Sequence, residues 1–160
     1  MMTSNSTAEL IAQIEQVAEE YARFVEALTE EQFRRRPDPN EWTVAEITGH
    51  VSEAPLTFST HARRLALEGG GKAGRPPEDP GRLAAVARLA DRGPKEGADL
   101  VRMGVREACA VLRSIPEEGW SVEGDHIREG KLTVRSLVQS SLLDHLHGHL
   151  RQAKEAAGVA

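Results

Sequence analysis

Three of the chain's six histidines fall in one short run, Asp144-His145-Leu146-His147-Gly148-His149-Leu150-Arg151-Gln152. Neutral imidazole is a good ligand for zinc, nickel, copper or iron, so the first question is which rings can face one ion. On a helix, residues four apart lie one above the other, while residues two apart diverge by about 200°. His145 and His149 therefore share a face, and His147 points elsewhere, toward solvent. Val138 and Leu142 precede His145 on the same stripe, which is apolar and expected to face a core. His50 supplies a third imidazole, three residues after Ile47 and four before Ala54, again near a buried stripe. Two rings from HxxxH on one helix and one from a neighbour make a tripod for a divalent metal. The remaining coordination positions fall to water or substrate, and an open position separates a catalytic site from a structural one. Taken alone, HxxxH is a weak signal, and the competing reading is a set of hydrogen-bonded core histidines.

Other side chains with chemistry are fewer. Glu53, almost one turn after His50, is the candidate catalytic carboxylate, a base acting through bound water or a partner that orients a ligating ring. Its alternative is a solvated helix carboxylate. Asp144 carries the same ambiguity, and Glu46 is already explained as a helix cap. His61 and His126 read as ordinary exposed or loop histidines. Arg151 diverges from His149 and reads as surface. Cys109 reads as a core residue.

The elements that must hold these residues are helical. Ala, Leu, Glu and Arg are abundant, aromatics make up only 4%, and strand-like alternation is hard to find. Ser6-Thr7-Ala8-Glu9 fits a capping box, followed by Leu10, Ile14, Val17, Tyr21, Phe24 and Leu28 in alternating steps of four and three. A polar turn, EEQFRRRPDPNE, leads to Thr43 and Glu46, a second capping box, with Trp42 placed to staple onto Ile47. That second helix is expected over 44–68, burying Ile47, Val51, Ala54, Phe58 and Leu65, with a kink at Pro55. GGGKAGRPPEDPG (69–81) reads as a flexible linker with a stiff Pro-rich part, followed by a short helix near 82–91. The third helix spans roughly 95–114, with Val101, Val105, Ala108, Leu112 and Ile115 on one face. WSVEGDHIREGK (120–131) reads as a small hairpin or an ordered loop. The fourth helix starts at Thr133 and runs to about 156. LTEEQF before the second helix echoes IPEEGW before the fourth, and Trp42-Thr43-Val44 echoes Leu132-Thr133-Val134, which suggests two helical hairpins. The expectation is one all-α domain over 1–160, a four-helix bundle with a small extra helix or loop insert between the second and third helices.

Bulk properties narrow the function. A formal charge of −5 and a pI of about 5.7 argue against nucleic acid as the main partner, which needs a basic face. No apolar run approaches the length of a membrane helix. MMTSNSTAEL lacks the basic-then-apolar pattern of a secretory leader, so a cytoplasmic location is expected. A single cysteine leaves no intramolecular disulfide and no cysteine-rich metal site.

Trp42-Thr43-Val44-Ala45-Glu46-Ile47, then His50, then His145-x-x-x-His149-x-x-Gln152 together resemble the DinB-like family, also called DinB/YfiT-like. The resemblance spans most of the chain, from the first helix to the fourth. It implies a four-helix bundle of up-down-down-up topology and a divalent metal, often nickel or zinc, on the positions matching His50, His145 and His149. It also implies a homodimer, a small-molecule substrate, and hydrolysis or thiol-dependent transfer or isomerisation with bacillithiol or mycothiol. No compact Arg/Lys signature for such a thiol cofactor is evident in the sequence. The leading reading is thus a metal-dependent hydrolase or thiol transferase. The alternatives are a non-catalytic, stress-related binding or scaffold bundle with a vestigial or structural histidine site, and a small-molecule binding module using a cavity between helices.

Overall fold

A computed structural model describes residues 6–159; the first five residues, where a leader would begin, and Ala160 lie outside them. Its elements in chain order are α1 (Thr7–Glu26), α2 (Glu30–Arg34), α3 (Val44–Glu68), β1 (Lys72–Ala73), α4 (Pro80–Ala87), α5 (Pro94–Arg113), a 3-10 turn (Glu117–Ser121), β2 (Glu123–His126), β3 (Gly130–Thr133), α6 (Val134–Val138), a π-helical turn (Gln139–Asp144) and α7 (His145–Ala157). The four long helices, α1, α3, α5 and the continuous α6–π–α7 run, form a four-helix bundle. α5 packs on both α1 and α3, and so does α7. The consecutive helices α1 and α3 face one another across the diagonal, where the Tyr21 and Thr48 hydroxyls hydrogen-bond at 2.9 Å, fully buried.

Helix starts follow the caps. Ser6 and Glu9 exchange hydrogen bonds as a capping box, and so do Thr43 and Glu46 at 3.0 and 3.1 Å. Thr133 caps α6 by accepting from the Ser136 amide. The first seam is wider than a step of three and four: Ile11, Ala18 and Val25 are buried beside Leu10, Ile14, Val17 and Tyr21, whereas Phe24 and Leu28 are only partly buried. Each fully buried Leu, Ile or Val among them contributes roughly 1.5–3 kcal/mol. The expected inner faces of α3 and α5 are buried throughout, and α3 runs unbroken through Pro55.

Four expectations need correction. The polar turn after α1 contains a helix, because Thr29 and Gln32 form a further capping box and seat Phe33 in the core. The echoed IPEEGW does the same with a 3-10 turn that buries Trp120. The glycine-rich linker is tied into a sheet. Gly69 closes α3 at φ +75°, a conformation that L side chains resist. The chain then turns back so that β1 pairs in parallel with β2, which pairs antiparallel with β3. Third, His126 is buried at the end of β2, its Nδ1 accepting from the Arg128 and Glu129 amides at 3.2 Å. Finally, the last helix is not uniformly α-helical, since a π turn immediately precedes His145.

Two glycines bring helices to backbone distance. A Cβ on Gly104 of α5 would run into the Ser52 carbonyl of α3, and one on Gly49 of α3 into the Ala85 carbonyl of α4. α4 is thereby laid against α3 one residue from His50. No helix among the described residues is long and apolar enough to cross a membrane.

Candidate metal centre

α3 supplies His50 and α7 supplies His145 and His149. The π turn matters here, because its extra residue per turn rotates the rest of the helix about its axis. Leu142 within the turn and Leu146, Leu150 and Ala153 downstream of it fill the core, while His145, His149 and Gln152 form the adjoining stripe. His147 is exposed.

The three rings meet nearly at right angles, with centroids 4.3–5.0 Å apart and interplanar angles of 74–87°. Their Nε2 atoms converge: His145 Nε2 lies 3.1 Å from that of His50 and 3.0 Å from that of His149. Three nitrogens at about 2.1 Å from one ion in tetrahedral directions stand about 3.4 Å apart, so these side chains fit a metal with a small adjustment. His149 Nδ1–H donates to Gln152 Oε1 at 2.7 Å, which leaves a bare lone pair on its Nε2. With neutral rings, a hydrogen bond can then relieve only one of the two Nε2 contacts that His145 makes. The other is left without a hydrogen bond of its own, and a shared cation relieves both.

The surroundings keep the rings neutral. Burial, then the neighbouring imidazoles, pushes His50 far below the usual imidazole range. Burial and His149 push His145 down to about 3. Burial also lowers His149, opposed by its hydrogen bond to Gln152. Trp42 leans on His50 at 5.5 Å and stacks along His149 at 6.5 Å and 19°. Phe58 meets His145 edge-on at 5.9 Å. Trp42, placed to staple α3, and Phe58, on its inner face, are therefore also walls of this site.

Glu53 is not free, and its side chain is only partly exposed. Its two oxygens take Arg75 Nη1 and Nη2 at 2.7 and 2.6 Å, and Oε1 also accepts from the Thr57 hydroxyl at 2.6 Å. Arg75, whose side chain is 8% exposed, pairs with Asp79 as well and lies over the Phe58 ring. Arg82 of α4 lies over Trp42, its Cζ 4.8 Å from the ring centroid. Neither arginine stands out in the sequence: they sit in a linker and a short helix whose course depends on β1 and on the Gly49 contact. The only local hint is the Asp79-Pro80 helix start that places Arg82 in the first turn. His61, on α3 beside Phe58, is half-buried.

A family model, the DinB superfamily, matches residues 13–153. The chain belongs to the DinB superfamily. Among solved structures it is similar to YfiT from Bacillus subtilis, a probable metal-dependent hydrolase with an unusual four-helix bundle topology. The TM-score is 0.74 at 18% identity, over 100% of this chain and 92% of that one. It is also similar to a histidine-to-alanine mutant of a mycothiol-dependent maleylpyruvate isomerase, with a TM-score of 0.65 at 15% identity, over 98% of this chain. This chain spans 62% of the isomerase's length. At these identities the likeness is one of fold. No curated protein compared with the chain matches it.

The depressed imidazoles give this DinB-superfamily protein an acid sensitivity. Below about pH 6.5 the unfolded chain takes up protons that the folded histidines refuse. Stability therefore falls as pH drops from there toward the folded values, by up to about 1.4 kcal/mol per pH unit for each ring, and these groups contribute no slope above it. Thermal melts of metal-free protein between pH 8 and 4.5 are expected to show this fall, with a shallower acid slope for His145→Gln. Equal slopes would mean that His145 is not held neutral.

Proposed function

We propose that His50, His145 and His149 hold one divalent metal, zinc or nickel, in an enzyme that acts on a small molecule by hydrolysis or by transfer of a low-molecular-weight thiol. The observation that carries this reading is the convergence of the three Nε2 atoms in an arrangement that hydrogen bonding alone cannot satisfy. When bound, the metal supplies a Lewis acid that activates a water or a thiol at neutral pH. The chain's own residues divide the remaining work. Gln152 fixes the tautomer and orientation of His149. Trp42 and Phe58 exclude water from the apolar side of the rings. Glu53 remains the candidate base, and in that role it must release one of its bonds to Arg75. A cytoplasmic setting with a pool of reduced thiols, and a homodimer, fit the superfamily resemblance.

An open coordination position is what separates this reading from a structural site. Cobalt(II)-loaded protein titrated with a low-molecular-weight thiol is expected to gain a sulfur-to-cobalt charge-transfer band, absent from His145→Ala. A cobalt spectrum that no thiol, anion or pH change perturbs would indicate a closed, non-catalytic centre.

A further inference from the structure

Charge is unevenly placed around the triad. The chain is net −5, yet the charged side chains that act on the rings from α4, the β1–α4 connection and the β2–β3 turn are arginines. Arg75 is matched, because Glu53 and Asp79 both bind it. Asp79 is spent further on capping the Arg82 amide at 3.0 Å. Arg82 itself is partly buried and gives one guanidinium N–H to the Pro77 carbonyl at 2.9 Å. Among the described residues it has no ion-pair partner. Arg128, on the β2–β3 turn, has none either; only its backbone amide is engaged, by His126. The charges of Arg82 and Arg128 both reach His145, and they disfavour each other. A guanidinium half withdrawn from water with no counter-charge is costly unless something anionic completes it.

The position of Arg82 suggests what that is. Its guanidinium lies over the face of Trp42, and the same indole touches His50 and His149. The contact with the indole holds the guanidinium in place, and the N–H groups that Pro77 does not engage can meet a planar oxyanion with two parallel hydrogen bonds. We propose that the substrate taken at this site carries an oxyanion, a carboxylate or a phosphate, which Arg82 receives across Trp42 from the triad, with Arg128 as the second cation. The assignment of the reacting end to the triad rests on the metal centre proposed above; the oxyanion seat does not. The same positive rim would steer an anionic substrate toward an otherwise acidic protein.

Calorimetric titration of the full chain with succinate, inorganic phosphate and neutral succinamide tests this, both on metal-loaded protein and after chelator dialysis. Succinate or phosphate is expected to bind both forms, succinamide neither, and the tighter of the two anions names the oxyanion. Arg82→Gln is expected to weaken anion binding by about tenfold or more, with Arg82→Lys intermediate and Arg128→Gln milder. Metal content and melting temperature measured on each variant show that the site is otherwise intact. Succinamide binding as tightly as succinate, or Arg82→Gln matching the wild type, would overturn the oxyanion seat and leave the metal centre standing. Arg82-dependent anion binding in a chain that takes up no metal would keep the seat and remove the metal reading.

Discussion

Replacing Glu53 by alanine destabilises the protein by about 2 kcal/mol. The loss comes from Arg75, which is 8% exposed in its side chain and receives both Glu53 oxygens. A buried guanidinium left without its main counter-ion keeps the desolvation cost and loses the attraction, commonly about 3–5 kcal/mol. Asp79 remains at 3.3 Å and Glu53 itself is 24% exposed, so the effect falls below that range. Glu53→Gln, which keeps the shape and can still meet Thr57, should lose less. Replacing both partners, Glu53→Leu with Arg75→Met, should recover much of the loss, because no charge is then stranded. Urea denaturation of wild type and variants checks this. Unchanged stability and metal content in Glu53→Ala, with turnover lost, would make Glu53 a base rather than the anchor of the Arg75 wall.

Gly104→Ala costs about 2 kcal/mol or more, although alanine is the better helix former by about 1 kcal/mol. The added methyl meets the Ser52 carbonyl oxygen, a backbone atom inside α3 that no rotamer change can move, so α3 and α5 must part. Gly49→Ala meets the Ala85 carbonyl in the same way. There the element displaced is α4, and Arg82 moves with it, so anion affinity should fall along with stability. Gly148→Ala is the control. It lies in α7 with open space where its Cβ would go, and should stabilise by up to about 1 kcal/mol. Chemical denaturation midpoints rank the three variants. A neutral Gly104→Ala would mean that the α3–α5 contact is looser than the glycine implies.

What could be read in the sequence was what is local. Caps at Ser6, Thr43 and Thr133 announce helix starts, and the shared face of His145 and His149 follows from helical geometry alone. The likeness of Trp42–Ile47, His50 and HxxxH-x-x-Gln152 to the DinB-like family links α3 to α7 without any knowledge of the fold. What escaped depended on tertiary context. Thr29 and Gln32 form a cap, but the segment reads as polar until Phe33 is seen in the core. The residues of β1 look like linker because a two-residue strand has no period of its own, and it pairs with β2 far along the chain. The π turn before His145 has no sequence mark, yet it decides which stripe of α7 faces the core. Arg75 and Arg82 become part of the site because β1 pairs with β2 and Gly49 lets α4 lie against α3.

Whether His50, His145 and His149 hold one metal ion is tested most directly by plasma mass spectrometry of untagged protein purified without added metal. The expected result is about one divalent metal per chain in the wild type and in His147→Ala, whose ring faces solvent. His50→Ala, His145→Ala and His149→Ala should each have lost most of it, with their folds intact by circular dichroism. A wild-type chain that carries no metal and takes up none on exposure to nickel or zinc, or three alanine variants that bind as well as the wild type, would contradict the account.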